Sequence, residues 1–214
     1  MNYSDALWGQ LMANSDSMAL LRYRHIGGRV MLLMNTALLI IDMQSASNDP
    51  QLGRRNNPDA ELRTLDLLQA WRKAQKPVIH ICHVSKSPGA VVLPRQPRSE
   101  FQVALTPLAQ EHWLEKSVPD AFSSGALKRW LRMKRIQSLV ICGVVTNNSV
   151  EATARSAACL GFDVSVVSDA VFTFDLVDLS GRLWRAEDIH AISLSNLAMN
   201  YAKIVTAKEV LQLI

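Results

Sequence analysis

At 214 residues and 49% hydrophobic, the chain has enough apolar mass for one well-buried domain that needs neither disulfides nor a metal to hold it together. Its formal net charge of +4 is modest, and lysines and arginines are scattered rather than gathered into a stripe, so no nucleic-acid footprint is indicated. Cys82, Cys142 and Cys159 lie in apolar runs without metal-type spacing, which reads as reduced core thiols of a cytoplasmic protein; no secretory signal occurs, and the apolar stretch 30–43, broken by Asn35 and Asp42, is too short for a membrane span.

Residues 1–34 stand apart as an N-terminal extension or non-native start, with a short helix expected around 17–23 and Met31 or Met34 as candidate first residues. From residue 36 onward, short β-branched runs alternate with stretches of helical period, the pattern of repeated βα units around a parallel sheet. Strands are predicted over 37–42, 77–83, 138–145, 163–168 and 203–206, with a sixth edge strand that the pattern does not place. Helices are predicted over 59–75, 124–133, 148–160 (stopped by Gly161), 186–202 and 207–214. Strands this apolar must be covered on both faces, so the expected fold over 35–214 is a three-layer α/β/α, doubly wound, mainly parallel sheet of Rossmann-like type. The segment 85–111, rich in Pro, Arg and Gln, reads as a functional loop or lid.

In such a sheet ligands bind in the crevice beyond the carboxyl ends of the strands. Asp42 follows the run Ala37-Leu38-Leu39-Ile40-Ile41 and is placed there as a general base, the alternative being an Asp that caps a loop turn. Ser149 stands where the strand ending at Val145 runs into a helix; a serine there is either a simple helix cap or a nucleophile aided by the helix N-terminus. His83 ends its strand near the same crevice as a substrate contact, whereas Cys82 and Cys142 read as inert core thiols. The absence of Gly-x-Gly-x-x-Gly and Walker-type loops removes the dinucleotide and phosphate-binding readings, and no cofactor is called for.

Three features together, Gly143-Val144-Val145-Thr146-Asn147-Asn148-Ser149, Ile41-Asp42-Met43-Gln44, and Lys116 followed by Ala121-Phe122, resemble the isochorismatase-like cysteine hydrolases over about the last five-sixths of the chain. The resemblance implies a triad of Asp42, Lys116 and Ser149, with Ser149 in the place usually held by the nucleophilic cysteine. It also implies a non-proline cis bond between Val145 and Thr146, and an oxyanion turn formed by Val145, Thr146 and Asn148. Gln44, His83 and Phe122 would contact substrate, with Gln44 orienting either substrate or a neighbouring backbone. Asp120 would add a second carboxylate near the site, and His190 matches a helix histidine of relatives, with packing as its stronger reading. The nicotinamidase branch carries metal-binding histidines soon after the first strand; 45–62 contains none, so no metal is expected.

The implied activity is hydrolysis of a small amide or ureide, weakened or lost because a hydroxyl replaces a thiol. The alternative is an inactive member that keeps the pocket as a small-molecule or protein binding module. Two origins fit Ser149, an inactivating replacement or a natural Asn-Ser branch, and the coherence of the surrounding block favours the second. Relatives often associate, so a homo-oligomer is the expected state.

Overall fold

The computed structural model describes residues 35–84 and 100–214. The expected extension 1–34, its helix near 17–23, and most of the 85–111 loop lie outside the described residues.

Among the described residues the strands are β1 Thr36–Ile41, β2 Val78–His83, β3 His112–Lys116, β4 Ser138–Val144, β5 Asp163–Phe172, β6 Leu176–Val177, β7 Leu183–Trp184 and β8 Lys203–Val205. The helices are α1 Ala60–Lys73, α2 Ala126–Met133, α3 Glu151–Cys159, α4 Ala186–Asn200 and α5 Ala207–Leu211. Six strands form a wholly parallel sheet in the order β3-β2-β1-β4-β5-β8. The chain thus works outward from β1 in one direction, returns to β4, and continues in the other, which puts the topological switch between β1 and β4.

Alternate residues of β1 feed two cores. Ala37, Leu39 and Ile41 pack under α2, α3 and α4, while Leu38 and Ile40 pack under α1 and α5. This is why β1 is apolar without alternation: all six of its residues are buried. The three-layer parallel fold expected from the sequence is therefore the one formed.

Several expected boundaries differ. The unplaced sixth strand is β3, so Lys116, which lay outside every predicted element, closes an edge strand. The helix after β4 begins at Glu151, preceded by a π-helical turn over Thr146–Val150. β5 runs to Phe172, and beyond it β6 and β7 form a small antiparallel ribbon that the sequence pattern had not shown. Cys82 and Cys142 are buried as expected, but Cys159 is exposed at the end of α3.

Candidate active site

Asp42 takes up a left-handed backbone (φ 53°) directly after β1, a conformation Asp tolerates better than most residues, and this turn directs it out of the strand. Across the switch point, Gly143 has φ 131°, and a Cβ there would run into the backbone of Ile41. Glycine thus lets β4 approach β1 closely just before the turn that carries Ser149. On the other flank, β3 pairs with β2 so that Lys116 lies opposite His83. Partners on neighbouring parallel strands present their side chains to the same face, so both reach the carboxyl end of the sheet together.

The side chains meet at one ammonium. Lys116 Nζ donates to Asp42 Oδ2 at 2.7 Å and to Ser149 Oγ at 3.0 Å, and lies 3.3 Å from His83 Nδ1. An ammonium has three protons and here it meets three acceptors. Burial, reinforced by Lys116, lowers the His83 pKa, so its imidazole is neutral and Nδ1 can accept, leaving the ring proton on Nε2. Burial raises the Asp42 carboxyl above its ordinary value, against the opposing pull of Lys116 and the Ser149 hydroxyl. Asp42 Oδ1 is buried and, among the described residues, accepts no hydrogen bond. Ser149 Oγ accepts from Lys116, so its own proton is not engaged by that contact.

The turn bearing Ser149 is braced from outside the crevice. Thr146, fully buried, holds its Oγ1 3.0 Å from His190 Nδ1, and Thr173 Oγ1 donates to Asn147 Oδ1 at 2.6 Å. His190 therefore supports the turn, in line with its packing reading. The non-proline cis bond joins Val144 to Val145, one residue earlier than expected. The Asn148 N–H donates to Val145 O at 3.1 Å within the turn, so it is not a vacant oxyanion donor.

Gln44 is buried, and its amide grips the His83 peptide from both sides. Oε1 accepts from the His83 N–H at 2.8 Å, and Nε2 donates to the His83 carbonyl at 3.0 Å. It thus orients a neighbouring backbone, that of His83, one of the two roles expected of it. Phe122, expected to touch substrate, is a core residue beside Phe162, with ring centroids 5.9 Å apart. Asp120 is committed to structure: its carboxylate accepts from the Phe122 N–H and the Ser156 hydroxyl, both at 2.8 Å.

Burial pushes both the Cys82 and the Cys142 thiol up to about 12, which makes them poor nucleophiles. Among the described residues no group of three His, Cys, Asp or Glu side chains is gathered as a metal site requires, and no helix is long and apolar enough to cross a membrane.

Stitching between the 43–47 segment and the far end of the long loop has no counterpart in the residue pattern. The Gln102 N–H donates to Met43 O at 3.1 Å, the Ser45 N–H donates to Glu100 O at 2.9 Å, and Gln102 Nε2 donates to Ser47 Oγ at 3.0 Å. Backbone pairing of this kind leaves no residue pattern to read.

The isochorismatase domain matches residues 36–209, which takes in Asp42, Lys116 and Ser149. The chain belongs to the isochorismatase family. Its members are hydrolases, and the Bacillus subtilis isochorismatase family protein YrdC is 33% identical over 175 residues, covering 82% of this chain and 94% of that one. Nicotinamidase 3 of Arabidopsis thaliana is 30% identical over 182 residues, 79% of this chain and 83% of that one. Among solved structures, a Chromobacterium violaceum protein described as a hydrolase of the isochorismatase family superposes with a TM-score of 0.83 at 39% identity, covering 88% of this chain and 98% of that one.

Proposed function

We propose that this isochorismatase-family chain hydrolyses a small amide or ureide, using Ser149 as nucleophile, Asp42 as general base and Lys116 as the electrostatic anchor of both. The observation that carries the reading is the single Lys116 ammonium, 2.7 Å from Asp42 Oδ2 and 3.0 Å from Ser149 Oγ, beside an Asp42 Oδ1 with no partner among the described residues. The nicotinamidase among the relatives supports a C–N bond as the target.

In the first step Ser149 Oγ attacks the substrate carbonyl carbon while its proton passes to Asp42 Oδ1. Negative charge grows on the carbonyl oxygen, where Lys116 and the N–H groups of Val145 and Ser149 stabilise it. Collapse breaks the C–N bond, and Asp42 returns the proton to the departing nitrogen. Water then gives a proton to Asp42 and attacks the acyl carbon, releasing the acid; Ser149 recovers its proton from Asp42. A raised Asp42 pKa suits this alternation, because the group must both take and give a proton.

The field that would ionise a thiol at position 149 gains less with a hydroxyl, whose unperturbed pKa is far higher, so turnover is expected to be slower than with a cysteine. That same hydroxyl favours the second reading, a binding protein that retains the pocket. A screen of small amides and ureides against the chain and its Ser149→Cys form, with intact-mass detection, separates the two. An acyl adduct on residue 149 and product release are expected; a ligand bound unchanged by both forms would favour the binder.

A further inference from the structure

The clamp on His83 is the inner end of a longer brace. The last pair between β1 and β2 joins Ile41 to Ile81, because Asp42 then turns out of the strand at φ 53°. His83 lies two residues past that pair, where β2 has lost its neighbour on the β1 side. On the β3 side the ladder is continued by Val84, whose N–H donates to Lys116 O at 2.8 Å. The Gln44 carboxamide stands in for the missing strand: like a peptide group, it accepts from the His83 N–H and donates to the His83 carbonyl. Only a carboxamide does both. A glutamate would set an oxygen against the His83 carbonyl, and an apolar side chain of the same length would leave both backbone groups unpaired.

Gln44 is fixed in turn from the other side. Its carbonyl accepts from the Ser47 N–H at 3.0 Å and from the Ser47 hydroxyl at 2.8 Å. Gln102 donates through Nε2 to that hydroxyl oxygen at 3.0 Å, and through its backbone N–H to Met43 O at 3.1 Å. Between these contacts Phe101 forms an antiparallel bridge with Gln44, and its ring stands edge-on to His80 and Trp113, with centroids 5.6 and 6.4 Å away. A continuous series of contacts therefore runs from Gln102 through Ser47 and Gln44 to His83, and ends 3.3 Å from the Lys116 ammonium. Met43, Gln44 and Ser47 are buried, so water has little access to replace a bond lost along it.

On the reading of Lys116 as the anchor of Asp42 and Ser149, we infer that Gln102 is a positioning residue of the active site: through Ser47 and the Gln44 carboxamide it holds His83 Nδ1 against the Lys116 ammonium. Its side chain is committed to Ser47, so it acts through the brace and not on substrate. With Nδ1 in place the ammonium divides its three protons among Asp42, Ser149 and His83, and the His83 ring proton stays on Nε2. When the brace is cut, His83 no longer fixes the third proton. The ammonium is then free to move off Ser149 Oγ, and the field that favours an anion there weakens.

Imidazole orientation and the field at position 149 can be read separately. Long-range proton–nitrogen NMR of the histidine rings, with the His83 signal identified by its loss in His83→Gln, is expected to show a bare Nδ1 and a protonated Nε2 in the parent chain. Gln44→Met and Gln102→Leu should each turn this into an average of the two tautomers. In the Ser149→Cys background, iodoacetamide labelling on the acid side of the thiol pKa should slow by about 10-fold in Gln44→Met and about 3-fold in Gln102→Leu, in proportion to the thiolate lost. Gln102 is only half-buried, and its leucine variant keeps the backbone N–H that bonds Met43, so this second variant stays informative if the buried Gln44 change impairs folding. A His83 ring unchanged in both variants, or labelling unchanged in both although the parent thiol labels early, would overturn the inference. A parent Ser149→Cys chain that labels as an ordinary thiol would count instead against the proposed role of Lys116, and the His83 tautomer would then decide the brace by itself.

Discussion

Two carboxylate–cation pairs flank β2, each accompanied by a histidine of that strand, and they are tuned in opposite directions. Glu111 meets Arg72 through two hydrogen bonds, of 2.6 and 2.8 Å, and also accepts from the Leu108 N–H and lies 2.9 Å from His80 Nε2. Burial opposes its ionisation, but these partners outweigh burial and hold its pKa at about 2. Asp42 is paired with Lys116 on one oxygen, with smaller pulls from Ser149 and His83, but burial outweighs them and pushes it up. Little surface is exposed on either side chain, 6% for Glu111 and 11% for Asp42. What separates them is depth and the number of donors each carboxylate receives. A carboxylate saturated with donors stays ionised and holds structure, whereas one with a vacant oxygen is poised to receive a proton.

The largest effect should come from breaking the saturated pair. Glu111→Gln leaves Arg72 without its counter-charge, and urea unfolding at neutral pH should show a loss of about 2–3 kcal/mol. Asp42→Asn likewise leaves buried Lys116 without a counter-charge but removes a carboxylate whose ionised form burial disfavours, so it should cost less than Glu111→Gln while abolishing turnover.

Stability against pH sharpens the same contrast. Glu111 is lowered from 4.5 to about 2, so its contribution is present above 4.5 and is lost as pH falls toward 2. Asp42 is raised above 3.8, so its contribution is present below 3.8 and is lost as pH rises through its folded value. Urea midpoints taken across this range should show a flatter acid limb for Glu111→Gln. The Asp42→Asn variant should gain on the parent as pH rises.

Much of the crevice was legible because it lies next to strongly apolar strands. β1 and β4 are buried on both faces, so Asp42 and Ser149 are marked by where the apolar runs stop. Lys116 was found through the family pattern, but the strand that carries it was not. In His112-Trp113-Leu114-Glu115-Lys116 the edge strand β3 has exposed Trp113 and Glu115 alternating with less exposed neighbours, too weak a contrast over five residues. The Arg72–Glu111–His80 network joins residues 31 to 39 positions apart, and only the packing of α1 and the 101–111 segment against β2 brings them together. The resemblance put Phe122 against substrate and left Gln44 to orient either substrate or a neighbouring backbone; the contact with Phe162 and the clamp on the His83 backbone are set by side-chain direction, which sequence spacing does not encode.

The central claim, that Lys116 and the turn after β4 form an electrostatic site for an anion at position 149, can be tested without knowing the substrate. In the Ser149→Cys variant, iodoacetamide labelling should be followed by mass spectrometry as pH is lowered, with exposed Cys159 as the accessible thiol in the same molecule. Cys82 and Cys142, raised to about 12, should stay silent. The thiol at position 149 is expected to label well below the ordinary cysteine value of about 8.5 and ahead of Cys159, and to lose that advantage when Lys116→Ala is added. Labelling that tracks Cys159 in both backgrounds would contradict the claim.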